Sequence, residues 1–254
     1  MDQLEFKAVK IYGHRGAKGE APENTLEGFI HAYKQGIRRF ELDVHLTKDG
    51  QLIVIHDQTL ERTTGLTTKV QDADFIDIAN LDARQNAASW STHCHIPKLS
   101  QVVDSCPEVE HWQFEVKTSS KERLNILCNR LVEYIQANKL QEICAVTSSN
   151  TWFLKELRRR DQSIKIGFVA EYRFPKPLNT AKALGCEFLC LNYGLCTENL
   201  VQETHKLGIH ISCWTVNSIH EMLQLKEKGV DSIITDFPTS ALMYFENHGL
   251  IPSE

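Results

Sequence analysis

Long apolar runs are absent from this sequence. No window approaches about 18 consecutive apolar residues, the length from which a membrane-spanning helix is predicted. The first residues, MDQLEFKAVKIYG, also lack the apolar stretch of a secretory signal peptide. We therefore expect a cytoplasmic protein with no stable membrane association.

An excess of positive charge is missing as well. Lys and Arg number 28 against 33 Asp and Glu, which gives a formal net charge of -5. This balance provides no basic surface for nucleic acid. It does not exclude an anionic small-molecule substrate, because the local charge around a site matters more than the net charge.

Paired cysteines are the third feature that the sequence lacks. Its eight cysteines stand singly, without a CxxC motif. Scattered cysteines in a cytosolic chain usually remain reduced and pack as small apolar side chains. We therefore expect no disulfides.

What the sequence does contain is a repeated unit of helix-like segment, glycine and short apolar run. NTAKALG precedes CEFLCLNY, LVQETHKLG precedes IHISCWTV, and MLQLKEKG precedes VDSIITDF. A glycine just past a helix end adopts the left-handed conformation that other residues resist. Alternating helices and strands of this kind predict a parallel sheet. The glycines expected to end helices are Gly36, Gly185, Gly208 and Gly229.

Eight β-like runs cover the chain, each followed by a helix-like segment or an insertion. Eight such units in 254 residues predict an α/β fold with a single (β/α)₈ TIM-barrel domain over residues 1–254. A doubly wound sheet is the alternative that the pattern leaves open. The runs are residues 9–14, 39–44, 112–117, 144–149, 165–170, 188–193, 210–216 and 232–237.

A ninth apolar run, LIVIH at 52–56, does not fit this count. It follows Asp49-Gly50, a tight-turn signal, and the link is too short for a parallel crossover. We therefore predict a hairpin with strand 52–56 antiparallel to the second strand. Residues 58–110 then break the rhythm, and long insertions in such loops are usually functional. We predict a small insertion subdomain there, capping the active-site face and followed by the second barrel helix.

Three carboxylates are the candidate metal ligands. Glu41 and Asp43 end the second strand, where alternation directs residues i and i+2 to one face. Glu115 ends the next barrel strand, with Lys117 two residues on. Crowded like charges are costly unless a cation neutralises them, and hard oxygen ligands suit Mg²⁺ or Ca²⁺. Ion pairs with Lys117 and Arg15 are the alternative interpretation.

Two histidines at the same rim are candidates for acid–base catalysis. His14 ends the first strand and His56 ends the hairpin, and an ordinary pKa near 6.5 allows each to give or take a proton. Arg15 offers a planar donor pair for phosphate oxygens. Gly16 would let the backbone approach a ligand. Trp214, near the end of the seventh barrel strand, fits either substrate contact or barrel core.

Other polar residues receive structural interpretations. Asp236 is a carboxylate at the last strand that could support the site, and Asn24 and Thr25 could cap the first helix. His93-Cys94-His95 lies in the insertion without a spaced partner set, so a metal site there is not favoured. Structural roles are also expected for His111, His205, His210 and His220.

Ordered motifs from about residue 11 to 238 resemble a known family. HRGAKGEAPENT is similar to the HRG…PENT signature of the glycerophosphodiester phosphodiesterases, of the cytosolic bacterial type, and ELDVHLTKDGQLIVIHDQTLERTTG resembles a further block. IPKL, FEVK, WTVN and GVDSIITDFP follow in the family's order. The resemblance implies a barrel that holds metal on Glu41, Asp43 and Glu115. It also implies acid–base roles for His14 and His56, and phosphate contacts from Arg15 and Lys117.

The reaction implied by this resemblance is metal-dependent hydrolysis of glycerophosphodiesters to sn-glycerol 3-phosphate and an alcohol such as choline or ethanolamine. The glycerol 2-hydroxyl would attack first, and water would open the resulting cyclic phosphate. A lysophospholipase D or phospholipase-C-like enzyme with the same site is one alternative. A catalytically silent phosphate-binding barrel is another, against which the complete set of histidines and carboxylates argues.

Overall fold

The computed structural model describes residues 8–87 and 89–251, in which eight parallel strands form a closed barrel. The strands are β1 (Lys10–His14), β2 (Arg39–Leu46), the hairpin strand β3 (Leu52–Val54), β4 (His111–Val116), β5 (Cys144–Ser148), β6 (Lys165–Ala170), β7 (Phe188–Asn192), β8 (His210–Trp214) and β9 (Ser232–Thr235). The sheet closes on itself because β1 pairs in parallel with both β2 and β9. The predicted TIM barrel is confirmed, and a doubly wound sheet is excluded.

Helices surround the barrel and bury one face each. In α5 the buried residues recur at helical spacing, from Leu124 through Cys128 and Leu131 to Ile135. The α-helices are α1 (Leu26–Lys34), α2 (Glu61–Thr64), α3 (Phe75–Ile78), α4 (Leu99–Ser105), α5 (Lys121–Ala137), α6 (Thr151–Arg160), α7 (Pro177–Leu184), α8 (Glu198–Lys206), α9 (Ile219–Glu227) and α10 (Pro238–Asn247). Short 3₁₀ segments lie at Val70–Asp72 and Tyr193–Leu195.

Local signals account for several helix ends. All four glycines expected to end helices have positive φ angles. Thr25 caps α1, because its side chain accepts a hydrogen bond from Gly28 N at 3.1 Å.

Gly16 has a packing role that the sequence did not predict. Its φ is +88°, and a Cβ there would lie 3.1 Å from the backbone of Gly28 and Phe29. Glycine therefore serves the close packing of this loop against the start of α1, whereas the expectation that it lets the backbone approach a ligand stays a prediction.

The hairpin forms as predicted. β3 pairs antiparallel with β2, with Val44 opposite Val54 and Leu46 opposite Leu52. Ile55 N continues the pairing by donating to Asp43 O at 3.1 Å. This pairing brings the next residue, His56, to the C-terminal rim beside the end of β2.

The segment between β3 and α4 carries a small hydrophobic cluster of its own. Ile53 and Ile55 of the hairpin pack there with Leu60, Val70 and Ile78, all buried. Of residues 58–110, Gln58 lines the central cavity. The helix α4 lies inside the range 58–110 and not after it, and a cap formed by this range stays a prediction.

All eight cysteines are free and buried. No helix in the described ranges is long and apolar enough to cross a bilayer.

Candidate active site

Three carboxylates converge at the C-terminal end of the barrel. Glu41 and Asp43 share one face of β2, and Asp43 is paired in register with Glu115 of β4. One oxygen from each residue lies within 4.8 Å of the others. Glu41 and Asp43 are buried and Glu115 is half-buried. The convergence predicted from the strand ends is confirmed.

Two cations lie against this cluster. Lys117 Nζ is 2.8 Å from Asp43 Oδ1 and 2.6 Å from Glu115 Oε1. Arg15 Nε is 3.1 Å from Asp43 Oδ2, to which Asn24 Nδ2 also donates at 2.9 Å. Burial raises the pKa of Asp43, but Lys117 and Arg15 outweigh burial and hold that pKa far below its ordinary value. Asp43 is therefore ionised and can act as a ligand. Asn24 contacts the cluster instead of capping α1.

Glu41 carries the least compensated charge. Its Oε1 is buried and has no hydrogen-bond partner among the described residues. Burial, together with the charges of Asp43 and Glu115, raises the pKa of Glu41 well above its ordinary value. A divalent cation would offset this repulsion, and carboxylate oxygens are the donors that Mg²⁺ and Ca²⁺ prefer. The residues present therefore fit the metal that the family resemblance implies.

His14 is held by a carboxylate on the last strand's end. Its Nδ1 lies 2.5 Å from Asp236 Oδ1, and its Nε2 lies 3.8 Å from Glu41 Oε2. Burial raises the pKa of Asp236, but the hydrogen bond to His14 outweighs it and the pKa is lowered. The ionised carboxylate accepts, so Nδ1 carries the hydrogen and Nε2 faces the carboxylate cluster. Burial lowers the pKa of His14 itself, although Asp236 opposes the shift.

His56 has a parallel arrangement. Its Nδ1 lies 2.6 Å from Asp57 Oδ1, and Asp57 Oδ2 accepts a 2.6 Å bond from Arg62 Nε. Burial lowers the pKa of His56, and the attraction of Asp43 opposes the shift. Both histidines thus donate through Nδ1 to an aspartate and leave Nε2 for a reactant.

A buried acid, Glu23, connects Arg15, which follows His14, with Arg62, which binds the aspartate beside His56. Glu23, which is 3% exposed, accepts from Arg15 Nη1 at 2.9 Å and from Arg62 Nη1 and Nη2 at 2.7 and 2.8 Å. Asn86 Nδ2 donates to it at 2.8 Å. Burial raises the pKa of Glu23, but the two arginines outweigh burial and lower it. This acid fixes the Arg15 guanidinium beside the cluster.

A single cavity of about 560 Å³ collects these groups. Its volume is in the range of small-molecule sites. Trp214 lines it, as expected for a substrate contact, and also packs against the barrel-core residues Val169, Phe188 and Cys190. The core contacts of Trp214 are therefore observed, and its contact with substrate stays a prediction. The residues that line the cavity include His14, Arg15, Glu41, His56, Asp57, Glu115, Lys117 and Trp214.

The sequence interpretation missed Glu23, Asp57 and Arg62, and it described Asp236 only as a supporting carboxylate. Glu23 and Arg62 lie inside the quoted PENT and LERTTG blocks, which was the available signal. His93-Cys94-His95 does not join the site. Among the described residues it forms no group of three metal donors, and burial raises the pKa of Cys94 to about 12.

Comparison with known proteins now decides the family. Residues 14–240 match the glycerophosphoryl diester phosphodiesterase family. The chain belongs to this family. A glycerophosphodiester phosphodiesterase of Caldanaerobacter subterraneus subsp. tengcongensis is 30% identical over 235 residues, covering 91% of this chain and 96% of the relative. A lysophospholipase D of Rattus norvegicus is 24% identical over 272 aligned positions, covering 92% and 85%.

A solved member shares the fold. The structure of a phosphodiesterase of Oleispira antarctica in complex with the product sn-glycerol-3-phosphate has a TM-score of 0.86 at 22% identity, covering 94% of this chain and 97% of that chain. The expectation of a phosphodiesterase on a TIM barrel is thereby confirmed. The roles of individual site residues in this member of the glycerophosphoryl diester phosphodiesterase family stay predictions.

Proposed function

We propose that this enzyme hydrolyses glycerophosphodiesters to sn-glycerol 3-phosphate and an alcohol by two-histidine acid–base catalysis. The observation that carries the proposal is the pair of aspartate-bound histidines in the cavity that also holds three carboxylates. The relative from Caldanaerobacter and the product bound to the Oleispira structure support the same substrate class.

The carboxylates of Glu41, Asp43 and Glu115 would hold the divalent cation, Mg²⁺ or Ca²⁺. When bound, this cation supplies Lewis-acid stabilisation of charge on the phosphate oxygens. Arg15 and Lys117 lie against the same carboxylates, and their charges would bind the phosphate's non-bridging oxygens.

Proton transfer is assigned to the Nε2 atoms of His14 and His56. One imidazole takes the proton of the attacking glycerol 2-hydroxyl, the bond from phosphorus to the alcohol oxygen breaks, and the other imidazole protonates that oxygen. Water then opens the cyclic phosphate with the roles reversed. The two histidines have the same kind of partner, because each Nδ1 is bound to an aspartate. Either one can therefore serve as the acid or as the base.

Water-soluble, deacylated diesters are the proposed substrates. Lysophospholipase D activity is the second candidate, and the relative from Rattus norvegicus favours it. For location we propose the cytoplasm, a reducing compartment that suits eight free, buried thiols.

The deciding experiment is an assay of the purified protein on glycerophosphocholine, with and without EDTA. We expect chelation to abolish release of sn-glycerol 3-phosphate, and Mg²⁺ or Ca²⁺ to restore it. Glu41→Ala, Asp43→Ala and Glu115→Ala should each lose activity while the proteins stay folded, whereas the exposed His220→Ala should not. Full turnover by thoroughly chelated protein would contradict the metal assignment.

A further inference from the structure

Charged residues are unevenly distributed around the cavity wall. The β5–β9 half is lined by neutral side chains and one acid, Glu171, among the residues that the structure describes. A substrate whose phosphate lies near Arg15 and Lys117 therefore directs one of its two alcohol groups toward a half that carries a single negative charge. The titratable and charged residues of the opposite half, formed by the ends of β1 to β4, are His14, Arg15, Glu41, His56, Asp57, Glu115 and Lys117.

Strand register places Glu171 near Trp214. Ala170, the last residue of β6, pairs with Leu191, and Asn192 pairs with Trp214 at the end of β8. Glu171 is therefore level with Trp214, and the backbones are about 10 Å apart because adjacent strands are separated by roughly 4.8 Å. Both side chains also line the same cavity.

The chemistry of both side chains suits a cation. Trp214 is half-buried, and its Nε1 is inaccessible and without a hydrogen-bond partner among the described residues. The part of the indole that faces the cavity is therefore carbon, and the face of Trp is the strongest side-chain binder of quaternary ammonium ions.

Glu171 is exposed and forms no ion pair with any cation in the described ranges. The carboxylate therefore keeps an unneutralised negative charge at the cavity wall.

We propose that Glu171 and Trp214 form a subsite for a cationic alcohol group. The enzyme then prefers glycerophosphodiesters of ammonium alcohols, such as choline and ethanolamine, over those with uncharged alcohols. This inference rests on the proposed glycerophosphodiesterase activity and specifies which diesters that site selects.

The test compares two substrates of the same shape. One is glycerophosphocholine, and the other is the 3,3-dimethylbutyl ester of glycerophosphate, in which carbon replaces the choline nitrogen. Cation–π contact and a partly exposed ion pair together predict that kcat/KM for the choline diester exceeds that for the neutral diester by about fivefold or more. Glu171→Gln should lower this ratio by about threefold, mainly by weakening the choline substrate.

Trp214→Leu should lower the same ratio, because it keeps apolar surface and removes the aromatic face. Trp214→Phe should retain part of the preference and provides the test if the leucine variant does not fold. The matched control is Glu142→Gln, which removes an equal charge from an exposed side chain that pairs with Lys165 at the first residue of β6, the far end of that strand. It should leave the ratio unchanged.

The possible failures are distinguishable. If wild-type protein hydrolyses neither diester, the proposed function and this subsite are both wrong. If it hydrolyses both diesters with equal kcat/KM, the function stands and the subsite is overturned. A high wild-type ratio that Glu171→Gln leaves intact would place cation recognition elsewhere and also overturn the assignment.

Discussion

Replacing Asp236 with asparagine tests whether the tautomer of His14 matters. Asp236 Oδ1 accepts from His14 Nδ1, and its Oδ2 accepts from Asn217 Nδ2 at 2.8 Å. Asn217 cannot turn its amide round, because its Oδ1 already accepts from Asp236 N at 3.0 Å and Thr235 Oγ1 at 3.2 Å. In Asp236→Asn the new oxygen must face Asn217 and the new NH₂ must face His14. Nδ1 then becomes an acceptor, and Nε2 carries the hydrogen.

The size of the effect follows from these contacts. A hydrogen bond to a charged group contributes about 1.5–3 kcal/mol, and a buried donor left facing another donor costs about 1–3 kcal/mol. For His14 to carry its hydrogen on Nδ1 in the variant, it must do without the first contribution and accept the second cost, which together amount to about 2.5–6 kcal/mol. At about 1.4 kcal/mol per decade in rate, kcat should fall by roughly 10²- to 10⁴-fold.

A double exchange provides the matched rescue. In Asp236→Asn with Asn217→Asp, the new carboxylate accepts from the asparagine NH₂, so the asparagine oxygen again faces His14 Nδ1. We expect recovery of at least about tenfold in kcat. The assays are kcat on glycerophosphocholine and ¹⁵N NMR of the His14 ring, with thermal unfolding to confirm folding. Near wild-type kcat in Asp236→Asn, or an Nε2 that stays unprotonated, would refute the reasoning.

Three further predictions concern the proposed catalytic histidines, the substrate and the stability. His14→Ala and His56→Ala should each lower kcat by at least about 10²-fold. A substrate with a p-nitrophenolate leaving group should rescue only the variant that lost the general acid. If either variant keeps near wild-type kcat, the histidine that it lacks is structural. Lysophosphatidylcholine should be hydrolysed with lower kcat/KM than glycerophosphocholine, and equal or better values would favour the lysophospholipase D alternative. Burial lowers the pKa of His111 from 6.5 to about 3, so the unfolded chain binds the extra proton between these values and stability falls as pH drops below 6.5. At pH 5 the free energy of unfolding is lowered by about 2 kcal/mol through this histidine. Denaturant unfolding of His111→Phe should show a smaller decrease in stability between neutral pH and pH 5.

The barrel was predictable because its signals are local. Glycines that end helices, the Asp49-Gly50 turn and the alternation of Glu41 with Asp43 each lie within a few residues of the structure that they predict. The carboxylate cluster was predictable for the same reason, since parallel strands bring their C-terminal ends to one edge.

The partners of the histidines were not predictable in this way. His14 and Asp236 are 222 residues apart, and their contact depends on β1 pairing with β9 when the barrel closes. The packing role of Gly16 was not predicted, because its positive φ and its packing on Gly28 depend on how α1 approaches the loop. Sequence spacing gives the end of each strand, but the choice of partner across the rim needs the closed barrel.

The motif blocks nevertheless contain the supporting residues. Glu23 in PENT is buried and binds both Arg15 and Arg62, and Arg62 in LERTTG binds the carboxylate that orients His56. Removing Glu23 would leave two arginines without their shared acid, so the position of Arg15 and that of the Asp57–His56 pair both depend on one side chain. A buried charge pair that loses a partner costs several kcal/mol. The blocks are therefore longer than the catalytic set because they also specify the ion pairs that hold its members in position.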